Sequence, residues 1–357
     1  MLVMSDDALP RAFDDFTADW FTKALSARFP GVKVVGFSRT GERIGTSASC
    51  KFSLDYADTG AVGNPPASVY IKGGFTEKQR NRYWVVLQQE VRFFNAMAQD
   101  VPMNIPDCYF AACDADKQGL TMLEDIVQTR GARFGNWGAL TVDEVAALLE
   151  QFASMHARWS EDPRLGDLAG FEKPQREFFQ YVLRDKHWEE LKTRQFGQRL
   201  EQTFPDVQLL RDALQRMWEL NDAAPRTLCH GDAHGGNMFF ERDGKPGVLD
   251  FQLYFAGTYM HDVSWLIVSA LPIKDRRNEE QRLLRHYLDA ARAAGMEVYS
   301  FEQAWLVYRQ QMAHAVPSGA CNPIESGPIE MINAAGELVT TAAEDLDVLG
   351  ALGIPRR

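Results

Sequence analysis

The sequence predicts an α+β fold of two lobes, a small antiparallel sheet followed by a larger, mainly helical lobe. Three observations carry this. Strand-period segments crowd into the first third of the chain, helical periods dominate from Thr141 onward, and the last strand pattern ends near Glu124 to Val127. The elements follow in order. Phe16, Trp20, Phe21, Leu25 and Phe29 recur at helical spacing over Phe13 to Phe29, and Pro30-Gly31 stops that helix. Val32 to Phe37, Ala48 to Tyr56 and Ser68 to Lys72 read as strands. A Gly-rich turn at Gly41 to Gly45 and a Gly-Asn-Pro-Pro loop at Gly63 to Pro66 separate them. Glu77 to Ala98 reads as one long helix, and Tyr109 to Cys113 and Leu120 to Leu123 as two further strands. The expected division is therefore an N-terminal lobe over residues 1–124 and a C-terminal lobe over 125–357, with a cleft between them suited to a ligand. Gly131 to Gly138 and Ser318 to Gly327 have loop composition.

Composition narrows the class of partner. The 357 residues are 45% hydrophobic and 24% charged, ordinary for a globular chain. A net charge of −11 gives no broad basic surface for nucleic acid. The five cysteines are odd in number and widely spaced, with no C-x-x-C pair, which suits a reducing compartment. Met-Leu-Val-Met followed by Asp6 and Asp7 lacks the basic start of a secretion signal. The apolar stretch Val263 to Ile273 is broken by Ser264, Ser269 and Pro272 and is too short to cross about 30 Å of hydrocarbon. The expectation is a cytoplasmic protein with no membrane or nucleic-acid partner; oligomeric state is not legible.

The most informative segment is Cys229-His230-Gly231-Asp232-Ala233-His234-Gly235-Gly236-Asn237, followed by Val248-Leu249-Asp250-Phe251-Gln252. Phosphoryl transfer needs a carboxylate to orient and deprotonate an attacking hydroxyl, and oxygen ligands to hold Mg²⁺ on nucleotide phosphates. Asp232, Asn237 and Asp250 supply such groups. Apolar segments on either side of Glu241 to Gly244 predict a short hairpin that brings Asn237 beside Asp250.

This wording resembles the catalytic loop and metal loop of protein kinases, in the form found in aminoglycoside and choline phosphotransferases. Within that family it is most similar to the ecdysteroid-kinase-like branch, which writes H-G-D-x-H-x-x-N and D-F-Q. The resemblance spans roughly residues 13–290. It implies a protein-kinase-like fold, ATP and Mg²⁺ as cofactors, and a small hydroxyl-bearing substrate. By position it makes Asp232 the catalytic base, Asn237 and Asp250 the Mg²⁺ ligands, and His230 a support for the loop. Val69-Tyr70-Ile71-Lys72 resembles the V-A-I-K strand, so Lys72 would reach the phosphates and Glu90 would pair with it. Thr121 to Ile126 resembles the hinge, with backbone groups of Glu124 and Ile126 at the adenine edge. Phe152 to Trp159 and His261 to Trp265 resemble scaffold of the same branch, with Asp262 expected to cap the helix entered at Val263. The acceptor is expected against the helical lobe, near 272–342 and 131–138, with Tyr254, Phe255 and Trp265 either lining it or belonging to the core.

The departures are informative. Gly41 to Ala48 carries only two glycines, so the phosphate-covering role of Thr46 and Ser47 rests on position between strands alone. Gln252 in place of the D-F-G glycine, and the absence of A-P-E, argue for a small acceptor rather than a protein. Taken singly, Lys72 reads equally as an edge-strand lysine, Glu90 as a solvated helix residue, and His230 and His234 as ordinary histidines. Two rival functions remain at this stage. One is a zinc metallohydrolase using His230, Asp232 and His234; the other is an inactive nucleotide-binding protein of the same fold.

Overall fold

The computed structural model describes residues 4–5, 8–58, 60, 62–324 and 328–355. Strands β1 (Val34–Ile44), β2 (Ala48–Tyr56), β3 (Ser68–Gly73), β4 (Cys108–Cys113) and β5 (Gly119–Glu124) form one antiparallel sheet in the order β1-β2-β3-β5-β4. Alternate residues point inward along its strands, including Cys50 and Phe52, Val69 and Ile71, Leu120 and Met122. They pack with Phe16, Phe21 and Leu25 to make the core of the small lobe. Because β3 is the middle strand, Lys72 is not an edge lysine.

Three predicted boundaries move, each for a local reason. Helix Ala18–Ser26 starts later than Phe13 because the Thr17 side chain accepts from the amide of Trp20, and residues 13–15 form a separate 3₁₀ turn. The supposed turn Gly41 to Gly45 lies mostly within β1. Gly41, at φ +70°, sits in a register shift between Thr40 and Arg43, and pairing resumes to Ile44 opposite Ala48. The expected helix Glu77 to Ala98 is two helices, Glu77–Arg82 and Trp84–Ala96, broken at Tyr83, whose φ of −114° and ψ of 16° leave the helical region.

The rest is mainly helical, as expected. At its centre runs helix Met260–Ala270, every residue of which is buried. Helices Val142–Trp159, Ile273–Ala293 and Ile329–Asp345 pack around it. Short strands complete this lobe: β6 (Arg133–Phe134), β7 (Thr227–Cys229), β8 (Met238–Phe240), β9 (Pro246–Val248) and β10 (Phe255–Gly257). They pair as β6-β8-β9 and as β10-β7. The predicted loop 131–138 thus contributes β6, and helix Met312–Gly319 takes in the first two residues of the second predicted loop. Residues 325–327 of that loop, like Asp6 and Asp7, lie outside the described residues. The helix Trp84–Ala96, inserted between β3 and β4, packs on β4 and β5 and also reaches the large lobe. Phe93 stacks on Phe251 of the large lobe, with ring centroids 3.9 Å apart and planes 7° from parallel. Among the described residues no helix is long and apolar enough to cross a membrane.

Candidate active site

The hairpin expected around Glu241 to Gly244 forms, with Met238 opposite Val248. Beyond it the Leu249 amide donates to the Asn237 carbonyl at 2.8 Å, which sets Asn237 against the start of the Asp250 segment. Asp250 itself is left-handed, at φ 66° and ψ 65°, a conformation a short polar side chain tolerates better than most. Its carboxylate turns to β3. Lys72 Nζ lies 2.6 Å from Asp250 Oδ1 and 2.8 Å from Glu90 Oε1. Glu90 is only 4% exposed, so it is not a solvated helix residue. Burial alone would lower the lysine's pKa, but the charges of Asp250 and Glu90 raise it, so the ammonium is firmly held. For Glu90, burial and the nearby Asp250 charge push the pKa up, while Lys72 pulls it down.

Asp232 is surrounded more loosely. Trp265 Nε1–H donates to Asp232 Oδ1 at 3.3 Å, Asn237 Nδ2–H to Oδ2 at 3.4 Å, and His234 Nε2 stands 3.7 Å from Oδ2. Asn237 Nδ2–H also donates to the Asp232 carbonyl at 2.9 Å, which commits its amine and leaves its side-chain oxygen free to ligate. His234 Nδ1 accepts from the Gly236 amide at 3.0 Å, placing the neutral ring's proton on Nε2, toward Asp232. Burial lowers the pKa of His234, and Trp137 stacks on its ring at 4.6 Å.

The loop that carries Asp232 rests on the buried helix Met260–Ala270 at three points. Asp262 accepts from the amides of His230 at 2.6 Å and Gly231 at 3.0 Å, and from His156 Nε2 at 3.2 Å. One turn on, Trp265 reaches Asp232; one turn further, the Ser269 hydroxyl accepts from the Gly235 amide at 3.2 Å. Residues three and four apart share a helix face, so one face serves the whole loop. This corrects the expectation for Asp262, whose carboxylate holds the loop rather than capping a helix. Burial would raise its pKa, but the hydrogen bond and charge of His156 lower it. The motif His261 to Trp265 was visible in the sequence; nothing in it said that two of its side chains face His230 to Asp232. Gly231 is required here. Its φ is +83°, and an added Cβ would lie 2.1 Å from the Leu253 carbonyl oxygen.

His230 supports the loop as expected: Nε2–H donates to the Leu249 carbonyl at 2.8 Å and Nδ1 accepts from the Asp232 amide at 3.2 Å. Both its nitrogens are therefore committed, and with them the zinc arrangement of His230, Asp232 and His234 loses its first ligand. Among the described residues no group of three His, Cys, Asp or Glu side chains is placed to hold a metal ion. Asp250 and the Asn237 oxygen instead offer the small, hard-oxygen set that suits an ion retaining several waters.

At the lobe junction the Glu124 amide donates to the Asp107 carbonyl at 2.8 Å, and its side chain is tied to Arg130 and to the Asp107 amide. Ile126 opens a short helix and is buried against Phe239. A cavity of about 450 Å³ reaches Thr46, Asp232, His234 and Gln252. Ser47 closes the β1–β2 turn, its carbonyl accepting from the Gly45 amide. Of the three aromatics expected near the acceptor, Tyr254 is buried against Phe93 and Phe171, Phe255 packs edge-on against His261, and Trp265 touches Asp232. The cavity uses others, from 82–86 and 174–181, which the sequence reading passed over.

The small sheet, the helical lobe and a charged cluster at their junction define a protein-kinase-like fold. A solved ethanolamine kinase from Plasmodium vivax aligns over 88% of this chain and 82% of its own at a TM-score of 0.50 with 13% identity, a likeness that speaks to the fold alone. A GDP complex of aminoglycoside 2′-phosphotransferase-IIIa covers 92% and 99% of the two chains at a TM-score of 0.48 and 14% identity. A choline kinase from Streptococcus pneumoniae covers 91% and 98% at 0.45 and 14%. No curated protein matches the sequence. The family model of the phosphotransferase enzyme family matches residues 79–300, well over half the chain, and the protein belongs to that family.

Proposed function

We propose that the protein is an ATP- and Mg²⁺-dependent small-molecule kinase that transfers the γ-phosphoryl group to a substrate hydroxyl. The observation that carries this reading is the Lys72 ammonium clasped between Glu90 and Asp250, two residues before the Gln252 that lines the Asp232 cavity. The nucleotide would lie between residues 1–124 and the lobe of 125–357, its base at the backbone of Glu124 and Ile126. Lys72 would meet its phosphates, and the hydroxyls of Thr46 and Ser47 would cover them. Asn237 and Asp250 would hold Mg²⁺, which when bound supplies positive charge against the phosphate oxygens. Asp232 Oδ would orient the acceptor hydroxyl and take its proton as the new O–P bond forms and the bond to the ADP oxygen breaks. His234 and Trp265 keep that carboxylate aimed. Family membership and acidic composition both favour a small acceptor in the cytoplasm over nucleic acid or membrane.

The test is thermal stability in the presence of ATP, ADP and GTP, each with and without Mg²⁺, because a ligand that binds the native state raises its apparent stability. Mg²⁺-dependent stabilisation by ATP is the expected result; indifference to every nucleotide would overturn the reading.

A further inference from the structure

The cavity beside Asp232 has a composition that selects its occupant. Its volume of about 450 Å³ admits a molecule well beyond the size of ethanolamine. One wall comes from the small-lobe side, with Tyr83, Val85 and Val86; the other comes from the large lobe, with Phe178, Phe179 and Tyr181. Val85 and Tyr181 are 50% and 39% exposed, large apolar surface left uncovered at the mouth. The charged side chains among the lining are Arg82, Glu177 and Asp232. With Asp232 engaged by the hydroxyl, Glu177 is the one remaining carboxylate in the lining, and Arg82 brings a positive charge to the same lining. A polyamine would have to bring several ammonium groups into a cavity with one carboxylate left to receive them.

A quaternary ammonium can instead be held on aromatic faces. Here three of the lining rings, Tyr83, Tyr181 and Trp137, already carry a cationic or stacked partner. Arg82 lies over Tyr181 at 4.3 Å and over Tyr83 at 5.6 Å, Arg184 lies over Tyr181 at 4.3 Å, and His234 stacks on Trp137 at 4.6 Å. A cationic substrate would meet guanidinium groups where it needs π-electrons.

Resting on the phosphotransferase reading above, we infer that the acceptor is an uncharged alcohol with a hydrocarbon or aromatic body. That body lies between the Tyr83–Val86 and Phe178–Tyr181 walls, and its hydroxyl points to Asp232.

The experiment pairs two readouts on the full chain. Binding of ADP with Mg²⁺ is measured by calorimetry. Turnover with ATP and Mg²⁺ is then followed by ADP release for a neutral panel (a hydroxysteroid, geraniol, 3-phenylpropanol) and a cationic panel (kanamycin, choline, ethanolamine), with thermal shift of the ADP-bound protein by each compound. The expected result is nucleotide binding, with kcat/KM at least tenfold higher for a member of the neutral panel than for any cation. Phe178→Asp should raise KM for that alcohol roughly tenfold or more while ADP affinity stays unchanged. Preference for a cation, or no shift by any neutral alcohol in a protein that binds nucleotide, would overturn this inference alone. Failure to bind nucleotide would remove the phosphotransferase reading and this inference with it.

Discussion

Two aspartates flank the same turn of chain and are treated in opposite ways. Asp262 is fully buried and accepts three donors at 2.6, 3.0 and 3.2 Å; Asp232 faces the cavity and has neighbours at 3.3, 3.4 and 3.7 Å. A carboxylate saturated with short donors is a structural anchor, its lone pairs already committed. One with long, poorly filled contacts keeps lone pairs for an incoming hydroxyl. The fold gives its close donors to the first so that the second can be held in place yet remain available.

The largest effect should come from the loose aspartate and be purely catalytic. Asp232→Asn is expected to lower turnover by roughly 100- to 10,000-fold with ADP–Mg²⁺ affinity retained, read by single-turnover kinetics and calorimetry. Lost nucleotide affinity with normal turnover at saturation would break the contrast. The anchored aspartate should behave in the reverse sense. Asp262→Ala strands the amides of His230 and Gly231 and is expected to cost about 3–5 kcal/mol of stability, measured by urea unfolding; a variant as stable as the parent would deny its anchoring role.

Protonation sharpens the same contrast. His234, His261 and His314 are all depressed in pKa, chiefly by burial. The unfolded chain therefore takes up protons before the native state does, so stability should be level above about pH 6.5, the ordinary imidazole value, and fall as pH drops below it. Urea midpoints between pH 8 and 5 test this, and His314→Phe should make the fall shallower. The smallest effect belongs to the rim. Arg82→Ala removes an exposed stack on Tyr181 and should change stability by no more than about 1 kcal/mol, checked by the same unfolding curves.

The chemistry was more legible in the sequence than the geometry that supports it. Asp232, Asn237, Asp250, Lys72 and Glu90 lie in short segments whose order and spacing can be read directly, and β3, β5 and the β8–β9 hairpin were equally plain in their patterns. The helix break at Tyr83 was not, because Thr76 to Ala98 contains no Gly or Pro to punctuate it. The part played by helix Met260–Ala270 was hidden for another reason. A helix buried on all sides has no polar face to reveal which of its few polar residues are turned toward a partner. Asp262, Trp265 and Ser269 acquire their meaning only when the chain folds back onto His230 to Gly235. Trp137, Ser318 and Asn322 of the cavity lie in the segments where the acceptor was expected, but the walls at 83–86 and 178–181 were missed because they join residues roughly a hundred positions apart.

The stack of Phe93 on Phe251 ties the helix bearing Glu90 to the residue after Asp250. The same helix also packs on β4 and β5 of the sheet that carries Lys72, so it bridges the two lobes. A movement that parts the lobes must pull apart either this ring pair or the helix's seat on the sheet, and with it the Lys72–Asp250 ion pair, so an apolar and an ionic latch close the same junction.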